Sequence, residues 1–130
     1  MSPTPSRMLV VARPSLGRSI AAMLDEDGYE VHRTPDAANA PALLRSLKPA
    51  LVVISMDLPW HDGVATARRL LAAAPDVPVL LVGETAADPR AATLPRLPSD
   101  VDADELRTAV SDLLRADEPR RIDDVPPRAR

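Results

Sequence analysis

The polar side chains best placed to do chemistry lie close together in the middle of the chain. Ser55 and Asp57 follow the apolar run Leu51 to Ile54, and Trp60, His61 and Asp62 come directly after them. A hydroxyl becomes a nucleophile when a neighbouring base takes its proton. No histidine is spaced to do this for Ser55, which reads more simply as a small polar residue closing a buried strand. His61 is either a phosphoacceptor or pH-responsive imidazole, or an uninvolved loop residue; His32 reads as strand surface. Arg13, after the first apolar run, either offers a fixed positive charge to Asp57 or the Ser55 hydroxyl, or faces solvent. Trp60 is the sole tryptophan, a residue type enriched at binding hot spots. It either anchors an interface or folds over a pocket at the strand ends. With no cysteine in the chain, a thiolate metal site and a disulfide framework are both excluded.

Hydrophobic periodicity supplies the elements that hold these residues. Met8 to Ala12 and Leu51 to Ile54 are short continuous apolar runs, as in strands buried on both faces. Between them, Leu16, Ile20, Met23 and Leu24 recur at helical spacing until Asp27-Gly28. Tyr29 to Arg33 reads as a second strand. Asp36 then caps a helix carrying Ala40, Leu43, Leu44 and Leu47, which Lys48-Pro49 closes. After the polar loop, Asp62 caps a helix with Val64, Ala67, Leu70 and Leu71 on its apolar face. Pro75-Asp76 breaks that helix, and Val77 to Val82 gives another buried strand. Gly83 to Ala92 is polar and short, and Gly83 to Thr93 has room for only a turn or two of helix. Thr93 to Leu97 is a poor edge strand, since Pro95 cannot donate to a ladder. Asp102 and Glu105 form a capping box for a last helix bearing Leu106, Val110, Leu113 and Leu114. The alternation predicts parallel βαβ units in an α/β, doubly wound, five-stranded parallel sheet with its fourth helix shortened. Residues 1–6 are expected to be flexible, 7–115 to form one domain, and 116–130 to be a disordered tail. In that tail Arg120, Arg121, Arg128 and Arg130 are interleaved with Asp117, Glu118, Asp123 and Asp124, so it is either solvated or folds on binding.

Composition narrows the function classes. The hydrophobic share is 45%, but Tyr29 and Trp60 are the only aromatics, so the core must be aliphatic. A net charge of −3 gives no electrostatic reason to expect nucleic acid. No apolar run nears the roughly 20 residues of a membrane span, and the amino terminus lacks a signal-peptide stretch. A cytoplasmic protein with no membrane and no nucleic-acid partner is expected.

Met8-Leu-Val-Val, Asp27-Gly-Tyr-Glu-Val31, Ala42 to Ile54, Pro59-Trp-His-Asp-Gly63 and Asp76-Val-Pro-Val79 together resemble the response-regulator receiver (CheY-like) family, from about Arg7 to Arg115. The resemblance implies a flavodoxin-like sheet and a phosphorylation site at its carboxyl end. There, two acids after strand one and an aspartate ending strand three hold magnesium, a hard cation that wants oxygen ligands. The aspartate is also the nucleophile. A Thr or Ser after strand four and a Lys after strand five bind the phosphoryl oxygens. At those positions this chain has Ala12 and Arg13, then Ser55 (four residues before Pro59), Gly83 and, counting back from Leu106, Ser99. Asp57 could take the nucleophile's place only if the strand slipped by two residues; otherwise it is a solvated loop carboxylate. Independently of alignment, the first acid in the chain is Asp25 and the only lysine is Lys48, before strand three.

The resemblance with its missing parts implies a pseudo-receiver: a non-enzymatic, phosphorylation-independent module with no cofactor or metal. It is expected to act by contacts with a protein partner or by self-association, with Trp60, His61, Leu106 and Val110 as interface residues. Two alternatives stand beside it. One is a sensor of a small anionic ligand in the emptied pocket near Arg13. The other is a phosphoacceptor with unconventional residues.

Overall fold

The computed structural model describes residues 6–58, 61–83, 94–98 and 100–117, with the side chains of residues 57, 61, 116 and 117 outside that description. Its elements run β1 (Arg7–Val11), α1 (Pro14–Glu26), β2 (Glu30–Thr34), α2 (Ala40–Leu47), β3 (Leu51–Ser55), β4 (Asp57–Leu58), β5 (His61–Asp62), α3 (Gly63–Ala73), β6 (Val79–Val82), β7 (Arg96–Leu97) and α4 (Ala103–Asp117). Among the described residues, five strands form one parallel sheet in the order β2-β1-β3-β6-β7, the doubly wound arrangement expected.

Alternation along the three central strands builds two cores. Leu9, Val11, Val52, Ile54 and Leu81 face α2 and α3, where Leu44, Ala67 and Leu70 meet them. Met8, Val10, Leu51, Val53 and Leu80 face the other way, onto Ile20 and Leu24 of α1 and Leu106 and Val110 of α4. All five residues of β3 are buried, because helices cover both of its faces. The helix stops are local. Lys48 takes a left-handed conformation, φ 51°, at the end of α2. Asp102 and Glu105 cap α4 reciprocally: the Glu105 N–H donates to Asp102 Oδ1 at 2.8 Å, and the Asp102 N–H to Glu105 Oε1 at 3.1 Å.

Several boundaries differ from expectation for identifiable reasons. β2 starts at Glu30 because the Tyr29 N–H is still committed to the Leu24 carbonyl closing α1. Asp36 caps a short 3₁₀ turn, Ala37–Asn39, that leads into α2. β6 starts at Val79 because Pro78 brings no N–H and the Val77 N–H turns back to Ala74. β7 is only two residues long; Pro95 accepts from the Leu81 N–H but has no N–H of its own to extend the ladder. α4 continues to Asp117, past the expected end of the domain. The segment after Ser55, read as a loop, contains a two-residue antiparallel ladder pairing Asp57 with Asp62 and Leu58 with His61. Residues 84–93, where the shortened fourth helix was expected, lie outside the described residues, as do 1–5 and 118–130.

Leu106 and Val110 correct the interface expectation. Each is 1% exposed and packed beneath the sheet, so neither side chain can meet a partner. They recur one turn apart on the apolar stripe of α4, and such a stripe turns toward the core.

Candidate functional site

The carboxyl ends of β1, β3 and β6 come side by side, which is where open α/β sheets place their ligand sites. Ala12 follows β1, is 4% exposed, and donates its N–H to the Thr34 carbonyl at 3.0 Å. Arg13 is exposed and sits at the N-cap of α1 without a side-chain capping bond; its carbonyl accepts from the Gly17 N–H at 2.7 Å. Ser55 is the last residue of β3, paired with Val82 of β6, and is 3% exposed. Gly83 follows β6 and donates its N–H to the Leu97 carbonyl of β7 at 2.8 Å. Ala12, Arg13, Ser55 and Gly83 therefore do gather at one mouth. Ser99, Trp60, and the side chains of Asp57 and His61 lie outside the described residues.

Two features of this mouth were not legible in the sequence. Gly83 has φ 137°, a backbone region that L side chains rarely adopt. A Cβ placed there would stand 3.3 Å from Met56 Cβ and 3.5 Å from Met56 Cγ. Met56, anchored by its N–H to the Val82 carbonyl at 2.9 Å, thus occupies the space beside the end of β6. The second feature is the join between β3 and α3. Asp62 accepts the N–H groups of Val64 and Ala65 at 2.9 and 3.3 Å, fixing the first turn of α3. That turn brings Gly63 against the backbone of Ser55 and Met56, so closely that a Cβ would overlap the Ser55 carbonyl oxygen.

The donor set decides what such a mouth can hold. Among the described side chains it offers a methyl, a guanidinium and one hydroxyl. A hard divalent cation wants several oxygen ligands, with carboxylates foremost, and these described side chains supply a single hydroxyl. Asp25, the first acid in the chain, sits near the far end of α1, and Lys48 sits before β3, at the opposite end of the sheet. Among the described residues no three of His, Asp and Glu stand close enough to share a metal ion.

Comparison with known proteins places this geometry. The family model described as "Response regulator receiver domain" matches residues 9–96. The chain is 31% identical over 133 aligned residues to the response regulator MprA of Mycobacterium sp. (strain KMS), covering 94% of this chain and 56% of that protein. It is 32% identical over 126 residues to the MprA of Mycolicibacterium vanbaalenii, covering 88% and 53%. The chain thus spans about half the length of these curated relatives. Among solved structures, a CheY-like response regulator receiver domain protein from Methanospirillum hungatei superposes with a TM-score of 0.79 at 18% identity, covering 88% of this chain and 97% of that one. The N-terminal domain of a response regulator/sensory box/GGDEF protein from Carboxydothermus hydrogenoformans gives 0.75 at 22% identity, covering 85% and 94%.

Proposed function

The chain belongs to the response regulator receiver domain family, and from that premise we propose that it is a pseudo-receiver, which signals through protein contacts without aspartyl phosphorylation. Receivers are signalling modules rather than enzymes, and the non-enzymatic reading agrees with that. One observation carries the proposal: the three strand ends that should share a metal and a phosphoryl group present Ala12, Ser55 and Gly83 at the family's acid, aspartate and hydroxyl positions, and the chain has no acid at all before Asp25 in the far end of α1, so β1 is followed by none. A magnesium ion entering this mouth would shed water for too few anionic ligands. At the lysine position the sequence has Ser99, which brings no ammonium for a phosphoryl group.

The backbone supports the same reading. With φ 137° at Gly83 and Met56 packed against it, a hydroxyl-bearing residue there would need both the chain and the methionine to move. Output then falls to exposed surfaces, with a protein partner or a second copy as the receiving side. Among the described residues no helix is long and apolar enough to cross a membrane.

The test is incubation of the full chain with acetyl phosphate and magnesium, followed by intact mass. No stable phosphate adduct is expected. An adduct that forms with the wild-type chain and disappears in Ser55→Ala or Asp57→Ala would instead establish an unconventional phosphoacceptor.

A further inference from the structure

Among the described residues β2 lies at the edge of the sheet, hydrogen-bonded only to β1. The Glu30 N–H donates to the Ser6 carbonyl and the Thr34 carbonyl accepts from Ala12. In the alternation of a parallel pair, the N–H groups of Val31 and Arg33 therefore point to the open side. A cavity of about 540 Å³ lies there, between β2 and the first turns of α1, walled by Gly17, Arg18, His32, Arg33 and Thr34 among others. A second cavity of about 330 Å³ continues along α1 to Asp25, and Arg18 and Arg33 line both. The larger one falls in the size range of small-ligand sites.

Two positive charges line this groove. Arg18 comes from α1 and Arg33 from β2, and neither is ion-paired among the described residues. The neighbouring carboxylate Glu30 is already engaged, by His32 Nε2 at 2.6 Å and Arg7 Nε at 3.3 Å. The stem of Arg33 lies across α1 at its one residue without a side chain: its Cδ is 3.7 Å from where a Cβ of Gly17 would stand. Two planar guanidinium forks on facing elements, with no ion-pair partner among the described residues, match the oxygens of a phosphate. Asp25, at the far end of the groove, repels a second anionic group and accepts hydrogen bonds from hydroxyls.

We propose that this groove binds a phosphomonoester with a neutral, hydroxyl-bearing body, its phosphate between Arg18 and Arg33 and its body running toward Asp25. The site adjoins the strand-end mouth and shares Ala12 with it, but neither Arg13 nor Ser55 lines it, and its two phosphate-binding arginines belong to the groove alone. It therefore stands or falls separately from the pseudo-receiver reading.

The test is a ¹H–¹⁵N titration of the full chain with glucose 6-phosphate, adenosine 5′-monophosphate and inorganic phosphate, with succinate as a dicarboxylate dianion. It is run at about 0.15 M salt, where loose surface attraction is screened. Saturable shifts are expected at the amides of Gly17, Arg18, Val31 and Arg33 with at least one phosphomonoester. Arg18→Gln and Arg33→Gln should each weaken binding by about tenfold or more, while Arg45→Gln, exposed on α2, leaves it unchanged. Both charge-removing changes are at exposed positions, and otherwise superimposable spectra confirm the fold. The proposal is overturned if no phosphate probe saturates, if both variants bind as the wild type does, if the shifts centre on Arg13 and Ser55, or if succinate binds as tightly as the phosphomonoesters.

Discussion

Replacing Gly63 by Ala tests the joint that aims the strand-end mouth. Gly63 opens α3 and is buried. A Cβ there would overlap the Ser55 carbonyl oxygen and lie 2.6 Å from Met56 Cα and 2.9 Å from the Ser55 carbonyl carbon. All three obstacles are main chain, so no rotamer change relieves them; β3 and α3 must separate. Overpacking costs about 1–3 kcal/mol even where side chains can give way, and here they cannot. The helix propensity gained on leaving glycine returns at most about 1 kcal/mol. A net loss of about 2 kcal/mol or more is expected, read as a lower urea midpoint with unchanged slope by circular dichroism. Gly17→Ala is the internal control. A Cβ at that position in α1 meets its nearest atoms at 3.7 to 3.9 Å, ordinary contact, so the same substitution should stabilise by about 0.5–1 kcal/mol. If Gly63→Ala proved as stable as the wild type, or if both variants lost stability equally, the close approach of α3 to the Ser55 backbone would be refuted.

Two further outcomes follow from the packing and the charges. Leu106→Ala should cost about 2–5 kcal/mol of monomer stability, because the side chain is 1% exposed in the core under α4; a loss below 1 kcal/mol in thermal unfolding of dilute protein would return Leu106 to the surface. On β2, the hydrogen bond from His32, helped by the Arg7 charge, holds the Glu30 carboxyl below its ordinary value. A depressed folded-state value means that this cluster's contribution is present above the unfolded-state value and is lost as pH falls through the folded one. His32→Ala should therefore move the Glu30 titration, followed by carboxyl ¹³C shifts, upward toward the ordinary carboxylate range; an unmoved titration would assign the shift to another cause.

What the sequence made legible was set by how local each signal is. The apolar runs Met8 to Val11 and Leu51 to Ile54 announce buried strands, because few other structures want unbroken Val, Leu and Ile at that length. The Asp102 and Glu105 pair declares the start of α4, since a capping box closes within one turn, and both of its bonds are present. Leu106 and Val110 were placed on the correct stripe of the correct helix but turned toward a partner, although the same periodicity is what drives a stripe into the core. Features made of tertiary approach left no such mark. Met56 against Gly83 and the pairing of Arg18 with Arg33 across one groove depend on where strands end and on which helix covers which edge. The two-residue ladder of Asp57–Leu58 with His61–Asp62 is too short for any period to reveal.

The parts of this chain that make the fold are physically separable from those that would make the phosphorylation chemistry. The sheet is held by aliphatic residues along the strands, by caps at Asp62 and Asp102, and by the Gly63 joint. The chemical positions lie at the last rung of the ladder, Ser55 paired with Val82 and Ala12 and Gly83 bonded through their N–H groups to Thr34 and Leu97, where the bonds are made by the backbone and do not depend on the side chain carried. On the pseudo-receiver reading, that is how family membership and a mouth without the phosphorylation residues coexist. It does not make the change easily reversible. Restoring carboxylates at Ala12 and Arg13 alone would put two like charges beside a buried Ser55 with no cation to share, and like charges at such a site raise one another's pKa rather than ionise together. Restoring a hydroxyl at Gly83 would strain a backbone at φ 137° and press on Met56. Each reversion is unfavourable unless the others accompany it. On the pseudo-receiver reading, selection therefore acts on this protein through its surfaces, and the edge bearing Arg18 and Arg33 is one where, among the described residues, two unpaired charges line the same groove.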